Sequence, residues 1–168
     1  MNDDAASGGS GPLARDIMTA EVVSATPDTP LARVAETMIR RRLRALPVIS
    51  ERREVLGIVT EREVMEHFLP RFGRPNGRTS EGDRAGRVPV REVMRRSVLC
   101  VKEDQPLREV AALMLNKDAE RFPVCSEGTL VGFLTRGDVV RELLARPAGA
   151  GRTEHGARRR TEDGEAER

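Results

Sequence analysis

Two four-residue steps carry the groups best placed for chemistry. They are Thr60-Glu61-Arg62-Glu63 and Thr135-Arg136-Gly137-Asp138. In each, a hydroxyl stands three residues before a carboxylate, just after an apolar run that contains a glycine, Gly57 or Gly132. This spacing supports two kinds of chemistry. Ahead of a helix it is a capping box: the hydroxyl accepts an orphan helical N–H and the acid reaches back to the cap amide. Facing a cleft it holds a ligand, because a carboxylate can accept from two neighbouring hydroxyls in charge-assisted hydrogen bonds. "TERE" suits the cap. "TRGD" suits it less, with a shorter acid and a glycine in the first turn that costs up to about 1 kcal/mol relative to Ala. A locally poor helix start is more readily explained by a site. Both readings stay open for both steps.

Other chemistry finds little support. The two cysteines, Cys100 and Cys125, sit in apolar runs and read as small buried hydrophobes. His67 and His155 are scattered, one on a helix pattern and one in a polar segment, so no zinc site is expected. No Ser or Cys nucleophile has a plausible His base, and no glycine-rich phosphate loop opens a helix. The expectation is a protein without catalysis, metal or resident cofactor.

The elements that must position these steps occur twice. With a shift of 76, "DTPLARVAETM" (28–38) lies on "DQPLREVAALM" (104–114), "LPVIS" (46–50) on "FPVCS" (122–126) and "RDIM" (15–18) on "REVM" (91–94). After one deletion, Gly57 and Thr60 match Gly132 and Thr135. Leu31, Val34, Ala35, Met38 and Ile39 form one apolar helical face, copied by Leu107, Val110, Ala111, Met114 and Leu115. Pro30 suits the first helical turn. Val22–Ala25 and Val98–Val101 read as first strands, "LPVI" and "FPVC" as second, "VLGIV" and "LVGFL" as third. Val64, Met65, Phe68 and Leu69 give a closing helix, copied by Val139, Val140, Leu143 and Leu144. Each repeat is thus βαββα and the class is α+β. One unit of about 55 residues buries too little surface to stand alone, so the two must pack together.

The expected boundaries are a disordered tail over 1–11, repeats over 13–70 and 91–145, a linker over 71–90, and a disordered charged tail over 146–168. The last tail balances six basic against five acidic residues. Charge over the whole chain is also interspersed, at a net of +2. With no Trp or Tyr, stacking platforms for single-stranded nucleic acid are missing, so a nucleic-acid partner is not expected. No apolar run reaches the roughly 18–20 residues that span a bilayer, and the N-terminus lacks signal-peptide character. A cytoplasmic protein is expected.

The order and spacing of "DIMT", "TPDTPLARVAETM", "LPVI" and "GIVTEREV", with "EVM", "EDQPLREVAALM", "FPVC" and "GFLTRGDVV", resemble the cystathionine-beta-synthase (CBS) domain family over roughly residues 13–145. The resemblance implies a pseudo-two-fold disc, a Bateman module. Its two clefts would take adenosine-containing ligands such as AMP, ADP, ATP or S-adenosylmethionine, and the module would regulate a separate partner protein. It implies that Thr60 with Glu63 and Thr135 with Asp138 hold ribose hydroxyls. It also implies that Arg44 and Arg121 meet phosphate. Adenine would lie against Val23, Ser24 and Val48 in one cleft and Leu99, Cys100 and Val124 in the other. Glu63 departs from the family's usual Asp. A degenerate, purely structural dimer is therefore the alternative. A homodimer is also expected because two repeats cannot cover every apolar helical position, Met65, Leu69, Val140 and Leu144 among them.

Overall fold

The computed structural model describes residues 11–69 and 86–145. The expected tails fall almost wholly outside these residues, as does most of the linker. Residues 86–90 are described, and they are not structureless: Val88 accepts from the Leu31 amide at 2.8 Å, and Pro89 bridges to Pro30.

The element order is α1 (Ala14–Ile17), α2 (Leu31–Arg41), β1 (Ala45–Ile49), β2 (Val55–Thr60) and α3 (Glu61–Phe68). A 3-10 turn over Val90–Glu92 follows, then β3 (Val101–Lys102), α4 (Leu107–Asn116), β4 (Arg121–Ser126), β5 (Thr129–Thr135) and α5 (Arg136–Ala145). Strands β1 and β2 pair antiparallel, as do β4 and β5, and both pairs carry a register shift at the same place, Val48/Ile49 and Val124/Cys125. The first strands are shorter than the apolar runs suggest. Ala25 makes a single parallel bridge to Val48, and only Val101–Lys102 forms a strand beside β4. Pro30 stands one residue earlier than predicted, at the cap of α2, and Pro106 caps α4 in the same way, each with the φ near −60° that the ring fixes.

Each helix buries the face its spacing predicts. Leu31, Val34 and Met38 enter one core, and Leu107, Val110 and Met114 the other. The completion of each core is less local. Ala14, Ile17 and Met18 belong to the first repeat in sequence but pack into the core of the second. Val93 and Met94, from the second repeat, and Val90 just before it pack into the core of the first. The backbones follow suit. Ala14 donates to Gln105 and Arg15 to Glu103, while Val90 donates to Thr29 and Arg91 to Pro27, all at 2.9–3.1 Å. Two short arms are therefore exchanged across the pseudo-two-fold relation.

The glycines preceding the Thr-x-x-acid steps are seats for these arms. A Cβ on Gly57 would lie 2.5 Å from Met94 Sδ and 2.8 Å from the Arg95 carbonyl oxygen, and one on Gly132 would strike Met18 in the same way. The carbonyl belongs to an arm held by paired backbone bonds, so it cannot step aside as a side chain would. Gly57→Ala is expected to destabilise the fold by about 1–3 kcal/mol, the usual range for overpacking, measured as a lower midpoint in urea.

Candidate functional site

Each Thr-x-x-acid step lies where a strand ends and a helix begins, and each does cap its helix. Glu63 Oε2 accepts from the Thr60 amide at 2.9 Å and from the Thr60 hydroxyl at 2.5 Å. Asp138 Oδ2 accepts from the Thr135 amide at 2.9 Å and hydroxyl at 2.7 Å, while the Asp138 amide donates to the Thr135 hydroxyl at 3.3 Å. The shorter Asp thus closes the box as well as Glu does. One oxygen of each carboxylate remains after capping, and here the copies part. Glu63 Oε1 accepts from Arg95 Nε at 2.6 Å. Asp138 Oδ1 accepts from Arg141 Nη1 at 3.0 Å, from a side chain 78% exposed.

Glu63 is the one charged residue of the described chain classed as buried, at 6% exposure. Burial pushes its carboxyl up, but the Thr60 hydroxyl and amide and the Arg95 guanidinium outweigh burial and hold it below the ordinary carboxylate value. A depressed folded value has a definite sign. The stability it contributes is complete above the unfolded-chain value and is lost as pH falls through the folded one. Denaturation midpoints in an acid series should therefore fall more steeply for the wild type than for Glu63→Gln.

A cleft of about 800 Å³ opens between the repeats. Thr60 and Arg44 line it from the first repeat, Leu99 and Arg121 from the second, with Arg95 and Lys117 beside them. Five basic side chains face three acidic ones along its walls, so an anionic group is favoured there. Arg121 Nη1 donates to the Arg44 backbone carbonyl at 3.3 Å on its wall. Arg121 is also paired with Glu120 at 2.7 Å.

A family model of the CBS domain matches residues 14–70 and again 90–145. The chain belongs to the CBS-domain family. This CBS pair is 31% identical to hypoxic response protein 1 of Mycobacterium tuberculosis over 130 residues, 77% of this chain and 84% of that protein. It is 32% identical to the uncharacterised protein MJ1225 of Methanocaldococcus jannaschii over 127 residues, 75% of this chain, and spans 45% of that relative's length. A crystal structure of CBSX2 in complex with AMP matches with a TM-score of 0.67 and 26% identity, over 80% of this chain and 98% of that one. CBSX2 is from Arabidopsis thaliana.

Within the CBS pair, the predicted site residues are distributed across repeats rather than within them. Thr60, Arg44, Leu99 and Arg121 share the cleft just described. Thr135 and Asp138 are half-buried at the pseudo-equivalent junction of β5 and α5. Val48 and Val124 have no exposed surface; they belong to the cores and can only back a cleft wall. Val23 and Ser24 are half-buried, and Val23 packs against the first core. Cys100 lines a separate hollow of about 520 Å³ together with Cys125, Lys102 and Glu103. Burial and the neighbouring Cys125 push the Cys100 thiol up to about 12, so it stays protonated at neutral pH. No group of three or more metal-ligating side chains occurs among the described residues. No described helix is long and apolar enough to cross a membrane. Sequence reasoning passed over Arg95. Its signal was the repeat itself, which has Thr19 at the matching position.

Proposed function

We propose that this CBS pair is a cytoplasmic, non-catalytic sensor that binds an adenosine-containing nucleotide and reports it to a separate partner protein. The observation that carries the reading is the cleft between the repeats, where a helix-capping hydroxyl and arginines from both copies converge. The AMP complex of CBSX2 supports the ligand class. Adenine would be gripped by aliphatic walls and backbone, since no Trp or Tyr exists in the chain. A ribose would be held at a Thr-x-x-acid step, Thr135 with Asp138 or Thr60 with Glu63, and a phosphate by Arg121 or Arg44. A thermal-shift panel of AMP, ADP, ATP, S-adenosylmethionine and NAD tests this. A ligand present at 100 times its dissociation constant stabilises the fold by about 2.7 kcal/mol, a shift easily resolved. A flat response across the panel would favour the alternative, a structural interaction module with degenerate clefts. The engagement of Glu63 by Arg95 is the observation on that side.

The second helices leave apolar side chains uncovered: Met65 and Leu69 are 62% and 68% exposed, Leu143 and Leu144 63% and 79%. Such a surface fits a second copy of the chain. Light scattering at micromolar concentration is expected to give a dimer mass, and Leu69→Glu with Leu144→Glu should return it to the monomer.

A further inference from the structure

The two repeats agree through their capping steps and differ in the arm residue that lies beside each of them. Arg95 and Ile58 exchange two backbone hydrogen bonds at 2.9 Å, and Thr19 and Phe133 exchange the same two at 2.9 Å. The positions are therefore structural equivalents, and only the side chain differs. From this place Arg95 Nε reaches Glu63 Oε1 at 2.6 Å, while Glu63 Oε2 already accepts twice from Thr60. A ribose diol must therefore compete with a guanidinium for a carboxylate that is only 6% exposed. Thr19 carries no charge, and the second Asp138 oxygen is engaged instead by Arg141 at 3.0 Å, a solvent-screened side chain 78% exposed.

We propose that Arg95 is a specificity-determining residue that closes the Thr60/Glu63 step to nucleosides and leaves the Thr135/Asp138 step as the single nucleotide site of the chain. The inference rests on the nucleotide reading above. A ribose hydroxyl entering the first cleft must displace a guanidinium from a buried carboxylate. It would exchange a hydrogen bond charged on both sides for one charged on one side only. At the Thr135/Asp138 step the exchange is only with the solvent-screened Arg141, so the same ligand meets two unequal sites. The closed cleft still displays Arg44, Lys117 and Arg121 to solvent-borne anions, so the device discriminates against the sugar rather than the phosphate.

Calorimetric titration of the full chain with AMP tests it, using the wild type, Arg95→Thr, which copies Thr19, and Arg95→Thr combined with Glu63→Ala. The wild type should bind one AMP per chain. Arg95→Thr should bind a second, and the added Glu63→Ala should remove it again. Arg95 is half exposed and its pairing with Ile58 is through the backbone, so the substitution keeps that pairing, and a melting curve reads the cost of leaving Glu63 without its guanidinium. Should that variant not fold, Arg95→Met, which keeps the length and removes the donor, carries the same expectation. Two equal sites in the wild type would overturn the inference and leave the nucleotide reading intact. So would a single site in a normally melting Arg95→Thr. No AMP bound by either protein would overturn the nucleotide reading and, with it, the role assigned to Arg95. No AMP on the wild type but one on Arg95→Thr would likewise overturn the inference, because the site assigned to Asp138 would then not exist.

Discussion

Asp138→Ala is expected to weaken AMP binding by roughly 1.5–3 kcal/mol, the range for hydrogen bonds to charged groups, or about one to two orders of magnitude in affinity. The same substitution removes half of a capping box, which costs about 1 kcal/mol of fold stability. The two effects are separable by titrating AMP well below the melting temperature, with urea denaturation alongside. Glu63→Ala should reverse the proportions. It takes away the cap of α3 and leaves Arg95 without its partner, so stability falls. Its carboxylate is buried and held by Arg95 at 2.6 Å, whereas Asp138 meets only the exposed Arg141, so AMP affinity changes little. Equal affinity for wild type and Asp138→Ala would show that "TRGD" caps a helix and does nothing more.

Met94→Ala is expected to cost about 2–5 kcal/mol, as for other buried large-to-small changes. Met94 is 9% exposed and lies over Gly57 in the core that also holds Leu31, Val34, Val48 and Val59. The cavity would open in the first repeat although the residue is read from the second. A double-mutant cycle separates this from a purely local effect. Met94→Ala with Val34→Ala, inside one core, should deviate from additivity by roughly 0.5 kcal/mol or more, while Met94→Ala with Val110→Ala, in different cores, should add. The reverse pattern would contradict the exchange of arms.

The helix faces are legible in the sequence because a buried stripe repeats every three to four residues, and both copies write it with the same types, Leu31 with Leu107 and Met38 with Met114. The capping step is legible too, since its partners are three residues apart. The arms are not. "RDIM" and "REVM" are visibly repeated, but four residues have no periodicity, and nothing local says that their side chains belong to the other copy's core. The same limit explains the site. Spacing alone groups cleft walls repeat by repeat, whereas the structure joins Thr60 to Leu99 and Arg121 across the pseudo-two-fold relation. Val22–Ala25 looked like a strand because it is apolar, yet only Ala25 makes a bridge. Arg95 escaped because its partner is 32 positions away in sequence.

The exchange of arms has a consequence for how the chain is made. Synthesis runs from the N-terminus, and domains ordinarily fold in that order as they emerge. Here the first repeat leaves the ribosome with a seat at Gly57 and a gap in its core that Val90 and Met94 must fill. Its own arm, with Ala14 and Met18, waits for a core that has not yet been translated. Neither half can settle early, and each contact that closes them spans most of a repeat, which slows folding. The nascent first half would hold its apolar face open until the residues around Met94 are clear. The final assembly would then be one cooperative event rather than two. Ligand clefts built across that seam come into existence only with the last repeat.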